Sequence, residues 1–150
     1  MQLSKNFTLE QLIKSDTAVR RRILEQGNPS QETVYNLTNL CENILEPLEF
    51  AFTKPLRINS GYRCLRLNIA VGGARYSQHV EGKAVDITCA AATNEMIIKA
   101  VLNFGIEFDQ MIDEFGSWVH ISYNQGKNRK QVLRATHDTN GKTIYSPYQI

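Results

Sequence analysis

The apolar period of this chain changes at Pro55, and no other feature restricts its fold as much. Upstream, Val34, Leu37, Leu40, Cys41, Ile44 and Leu48 recur three or four residues apart, which lines one face of a helix from about residue 30 to residue 50. Pro47 has no backbone N–H and crowds the carbonyl four residues earlier, so this helix should kink or break near its end. Ahead of it, Thr8 and Gln11 have capping-box spacing and Ser15-Asp16-Thr17 offers a second N-cap. Two short helices are therefore expected between residues 4 and 22. Downstream the side chains alternate. Residues 56–60, 84–89, 109–115 and 118–123 place apolar and polar groups on opposite faces, as strands do. Gly116-Ser117 between the last two is a hairpin signal. A short helix or turn at 68–73 and a helix at 94–103 complete the elements. Helices first and strands afterwards imply an α+β domain, with N-terminal helices packed on a small antiparallel sheet. A single domain over residues 1–150 is expected, its last stretch, 124–150, a polar tail with a turn at Asp138-Thr139-Asn140-Gly141.

Charge and composition narrow the function classes. Lys and Arg total 17 against 15 acidic residues, a net charge of +2, too small to argue for a nucleic-acid partner. Arg20-Arg21-Arg22 and Lys127-Asn128-Arg129-Lys130 are short enough to be solvated faces. No stretch approaches the ~18 apolar residues that span a bilayer. The opening residues lack an apolar core and a small-residue cleavage pattern, so synthesis as a soluble cytoplasmic chain without signal peptide is expected. Cys41, Cys64 and Cys89 are odd in number and form no Cys-x-x-Cys; buried free thiols are expected, although a Cys64–Cys89 disulfide is allowed on paper.

The chemistry concentrates in Ser77-Gln78-His79-Val80-Glu81-Gly82-Lys83-Ala84-Val85-Asp86. His79 and Asp86 are separated by a glycine that lets the chain turn. Alternation puts Ala84, Asp86 and Thr88 on one face of the following strand and Val85, Ile87 and Cys89 on the core face. An aspartate in the middle of a strand needs a partner, and a metal ion supplies one. In Trp118-Val119-His120-Ile121-Ser122, His120 points to the face opposite Val119 and Ile121. Two imidazoles and a carboxylate make a tripod for one Zn²⁺ per chain with an open fourth position, where a bound water would ionise near pH ~7. A hydrolase also needs a general base. Asp113-Glu114 precedes the hairpin turn, and only one of the pair can face the site. A strict two-residue turn at Gly116-Ser117 places Asp113 opposite His120; a wider or bulged turn brings Glu114 round instead.

The pattern Ser77-x-His79-x-x-Gly82-x-Ala84-x-Asp86, followed by Trp118-Val119-His120, resembles the zinc D-Ala-D-Ala peptidases grouped as M15, most of all their small single-domain branch of bacteria and phages. Hedgehog signalling domains have a similar metal core. The resemblance covers about residues 7–123, including Phe7-Thr8-Leu9-Glu10 and Ser60-Gly61-Tyr62-Arg63. It implies that His79, Asp86 and His120 bind zinc and that an acid shortly before the last histidine is the base. Some relatives carry that acid three residues before it, where this chain has Ser117. The hedgehog-like spacing of six favours Glu114. The resemblance further implies that Arg63 lines the substrate site, binding a substrate carboxylate or the reaction's oxyanion, and that Ser77 hydrogen-bonds the peptide. It implies a monomeric peptidase acting at the cell wall on peptidoglycan peptides, as a carboxypeptidase or an endopeptidase. The alternative on this core is a non-catalytic zinc-stabilised module that binds the wall or a protein. Trp118 suits a binding platform or ordinary packing equally well, and His137 is expected to be an exposed histidine without a ligand role.

Overall fold

The computed structural model describes residues 1–150. Thr8 caps helix α1 (Leu9–Ile13) in a complete capping box with Gln11, and Ser15 caps α2 (Asp16–Arg20). A 3-10 turn at Leu24–Gly27 leads to α3 (Gln31–Leu40), whose cap is Ser30. The chain then stays helical through a widened π turn, Cys41–Leu45, into α4 (Glu46–Phe50). There the Glu46 N–H reaches back five residues to the Cys41 carbonyl. Pro47 falls in the first turn of α4, where a missing N–H costs least, so the proline is absorbed rather than breaking the helix. Strand β1 (Leu56–Ser60), helix α5 (Leu65–Ala70), strand β2 (Ala84–Cys89) and helix α6 (Asn94–Asn103) follow. The remaining strands are β3 (Gln110–Glu114), β4 (Trp118–Ser122), β5 (Gln131–His137) and β6 (Thr143–Pro147).

The strands form one six-stranded sheet in the order β1-β2-β4-β3-β5-β6. One face is covered by helices. Leu12 of α1, Leu37 and Leu40 of α3, Ile44, Leu48 of α4 and Ile97, Ile98 and Val101 of α6 pack on Val85, Ile87, Met111, Val119 and Ile121 of the sheet. These are the core-facing positions that alternation picks out in β2 and β4. A second, smaller cluster of Ala18, Ile23, Cys64 and Leu67 joins α2 to α5. All three cysteines are free and buried; burial, with the charges of Glu46 and Glu42, pushes the Cys41 thiol up to about 12.

The structure corrects two expectations. The sheet is mixed rather than antiparallel, because β3 pairs with β5 in parallel. The residues expected to be a polar tail supply β5 and β6, which pair in antiparallel register. The topology explains both. Strand β4 ends beside the start of β3, so a loop over that end lands on the free edge of β3 and must run parallel to it. Asp109 pins the crossing: its carboxylate accepts from the Arg129 backbone N–H and guanidinium, and its carbonyl accepts from the Gln131 N–H.

Candidate metal centre and cleft

The sheet face away from the helices carries the site. Strands β2 and β4 are neighbours, and Asp86 and His120 stand directly opposite each other in their ladder. His79 comes from the turn before β2. That turn closes through Gly82 (φ +73°), a left-handed conformation that favours glycine, and a side chain there would also press on Thr33 of α3. The three side chains converge. Their nearest ligand atoms all lie within 4.8 Å of one another, with His120 Nδ1 3.0 Å and His79 Nε2 3.2 Å from Asp86 Oδ1.

The hydrogen bonds assign the protons. His79 Nδ1 is 2.7 Å from the Gly61 carbonyl, which can only accept, so Nδ1 carries the hydrogen. In the neutral ring Nε2 is then a bare lone pair aimed at a carboxylate oxygen. His120 Nδ1 can donate to that oxygen from a neutral ring, but the bare Nε2 of His79 cannot, and a buried lone pair facing an anionic oxygen calls for a proton or a cation. Either the rings take protons or a metal ion sits among them, and the donor set of two nitrogens and one oxygen suits a metal. Burial alone would raise the Asp86 carboxyl pKa; hydrogen bonds from His120 and from the protonated form of His79, with the charge those rings then carry, outweigh it and hold the group well below the usual carboxylate range. Asp86 is therefore a permanent anion, as a ligand must be.

The acidic pair divides by register. Glu114 pairs with Trp118 and Ile112 with His120, which leaves three residues, Phe115 to Ser117, in the hairpin loop. Phe115 (φ 60°) and Gly116 (φ +71°) are both left-handed. The strict two-residue turn is absent, so Asp113 does not stand opposite His120. Glu114 lies on the site face, in the same cleft as His79, Asp86 and His120. Burial raises its pKa, the charge of His120 lowers it, and that of Asp86 raises it again, for a net upward shift. Asp113 points the other way, where it accepts from Asn94 Nδ2 at 2.8 Å and from the Gly116 N–H at 3.0 Å.

Arg63 also faces the cleft, but its guanidinium is engaged. It donates to Ser60 Oγ at 3.0 Å, to Asn68 Oδ1 at 3.2 Å and to Asp86 Oδ2 at 3.2 Å. Asp86 thus meets the two histidines with one oxygen and Arg63 with the other. Ser77 lines the cleft and accepts from the His79 N–H at 3.2 Å, so its hydroxyl oxygen braces the ligand turn. Trp118 is in the cleft wall with Phe115 edge-on at 6.0 Å, and His137, though exposed, stacks on Phe115 at 4.1 Å. The whole cleft encloses about 800 Å³. Three contributors carried no local signal. Asn68, buried under Arg63, reads in the sequence as a helical polar residue, and Leu133 and Tyr145 lie in the segment that reads as a tail.

Three side chains that could hold a metal ion, on a sheet face with a carboxylate beside them in an open cleft, make a candidate hydrolase site in an α+β fold. The chain belongs to the peptidase M15 family, whose model matches residues 5–122. Membership makes it a peptidase by class, and the family's peptidases are metallopeptidases. No curated protein sequence matches the chain. No helix is long and apolar enough to cross a membrane.

Proposed function

We propose that the protein is a zinc peptidase that hydrolyses peptide bonds of bacterial peptidoglycan, with His79, Asp86 and His120 holding one zinc ion and Glu114 acting as general base. The observation that carries this reading is the convergence of three ligand atoms within 4.8 Å on the face that also presents Glu114. The donors fit zinc, which takes two imidazoles and a carboxylate in open catalytic sites. When bound, the ion supplies Lewis acidity, polarising the scissile carbonyl and acidifying a water molecule. Glu114 takes a proton from the attacking water as its oxygen adds to the carbonyl carbon, and delivers that proton to the amine as the C–N bond breaks. Arg63 binds the substrate carboxylate or steadies the oxyanion from the Asp86 side, and Ser77 donates to the peptide backbone. The peptidoglycan substrate rests on the resemblance of the Ser77–Asp86 motif to D-Ala-D-Ala peptidases.

Incubation of the zinc-loaded protein with purified peptidoglycan, followed by mass analysis of the soluble fragments, tests the proposal. Peptide fragments bearing newly released amines should appear, and chelator should suppress them. Protein that stays on the wall but releases no amine would make this a binding module instead.

A further inference from the structure

Helix α5 buries one polar side chain, Asn68, which is 1% exposed although asparagine favours caps and turns over helix interiors. Its partners explain the choice. Asn68 Oδ1 accepts from Arg63 Nη1 at 3.2 Å, and Nδ2 donates to the Ala74 carbonyl at 2.9 Å. A guanidinium only donates and a carbonyl only accepts, so the amide fits one way round and both of its ends are used. The same Ala74 carbonyl accepts from the Ser77 N–H at 3.2 Å, and Ser77 Oγ accepts from the His79 N–H. Gly73 lies flat against the amide. Its N–H donates to the Asn68 carbonyl at 2.8 Å, and a Cβ at this position would run into Asn68 Oδ1. Arg63 and Ser77, both in the cleft wall, are thus tied to a single buried side chain.

We propose that Asn68 is a positioning residue that fixes Arg63 and Ser77 relative to each other, so that both meet the same substrate. The inference rests on the peptidase reading above, which gives these two side chains to substrate binding. Ser60 and Asp86 accept from Arg63 Nε and Nη2, which lie along one edge of the guanidinium. Two anchors on one edge leave the plane able to tilt about that edge; the third, Asn68 at Nη1, stops the tilt. Each nitrogen then has one protein partner, and of the five N–H groups of an arginine one on each Nη remains for the substrate. The other end of the amide sets the height of the Ala74 carbonyl, and with it the place of Ser77. Asn68 itself is not in the cleft wall, so its effect on a substrate passes through the residues that it holds.

The test uses the zinc-loaded full chain and a peptidoglycan stem peptide ending in D-alanyl-D-alanine. Hydrolysis is measured as kcat/KM, and binding to the Glu114→Gln protein is read from the fluorescence of Trp118, the single tryptophan of the chain. Zinc content is measured on the same samples. Asn68→Ala should lower kcat/KM or binding by roughly 10-fold or more with zinc retained, the range for a hydrogen bond to a charged group. Asn68→Asp keeps an acceptor for Arg63 but has no donor for Ala74, so it should recover part of that loss. Gly73→Ala, which displaces the amide without altering it, should act in the same direction as Asn68→Ala and carries the comparison if that variant does not fold. The deciding comparison repeats these changes beside Arg63→Ala, where most of their effect should vanish because the group they position is gone. An equal loss with and without Arg63, or an Asn68→Asp protein as impaired as Asn68→Ala, makes Asn68 a packing residue and overturns the proposal. Binding that depends on Asn68 and Arg63 together, with no hydrolysis by the unmodified chain, would keep the positioning role and sink the peptidase reading instead. A peptide neither bound nor cut overturns both.

Discussion

At the residue scale the site turns on single atoms. Asp86 divides its oxygens between the histidines and Arg63, so its removal strips the cluster of its only anion and leaves Arg63 without that partner. Asp86→Ala should abolish stoichiometric metal binding, where elemental analysis of the unmodified chain should find about one zinc. Retention of full zinc by Asp86→Ala would mean that the ligand set is wrong. The acidic pair gives a sharper comparison. Glu114→Gln keeps size and most hydrogen bonding but cannot accept a proton, so turnover should fall ~10²–10⁴-fold with zinc retained. Asp113→Asn keeps the acceptor oxygen that Asn94 and the Gly116 N–H use, so it should cost about 1 kcal/mol of stability and little turnover. The two rates, with metal content measured on the same samples, check both expectations; a reversed pattern would hand the role to Asp113. Neighbouring carboxylates one residue apart in sequence thus have separate tasks, because a strand alternates its faces.

Among the elements, the crossing from β4 to β5 is the connection on which the cleft wall depends. Asp109, almost fully buried, ties together the start of β3, the end of β4 through the Ser122 carbonyl, the start of β5, and Gln78 in the ligand turn. Burial raises its pKa, but the hydrogen bonds from Arg129 win, and the carboxyl stays below its ordinary range. A carboxyl depressed in the folded state contributes stability above its unfolded pKa and loses it as pH falls through the folded value. Asp109→Asn should therefore cost about 1–3 kcal/mol at neutral pH, the range for breaking hydrogen bonds to a charged group. Its gap to the unmodified chain should narrow below the ordinary carboxylate range. Denaturant unfolding at neutral and at acid pH measures that gap, and a gap independent of pH would remove the ionised carboxylate from the account. The α3–α4 segment shows a milder case of element-scale adjustment, where one widened turn lets a helix pass a proline that the sequence marks as an interruption.

For the whole molecule, metal and fold should be coupled. The candidate ligands come from the turn before β2, from β2 itself and from β4, which lie together only in the folded sheet. Binding to the folded state alone adds about 2.7 kcal/mol when free metal is a hundred times its dissociation constant. For a domain of this size that corresponds to a rise in melting temperature on the order of 5–10 °C. Calorimetry before and after chelation measures it, and identical melting in a sample proven free of metal would show that the fold organises the site without help from the ion.

The helical first third, the Thr8–Gln11 capping box and the alternation of β2 and β4 were legible in the residues, because each is set by neighbours within about ten positions. Face assignment by alternation put Asp86 and His120 on the site side and Val85, Ile87, Val119 and Ile121 in the core, where the structure has them. Register was not legible. A hairpin loop of two or three residues depends on left-handed backbone at Phe115 as well as Gly116, and phenylalanine carries no signal for it. The choice between Asp113 and Glu114 on the site face thus rested with the folded hairpin. The last two strands were hidden for a different reason. Their exposed, weakly alternating residues look like a tail until the edge of β3, more than fifteen residues earlier in the chain, offers them hydrogen bonds. Local side-chain chemistry determined which residues can hold a metal; only long-range pairing decided which carboxylate stands beside it and what wall the substrate meets.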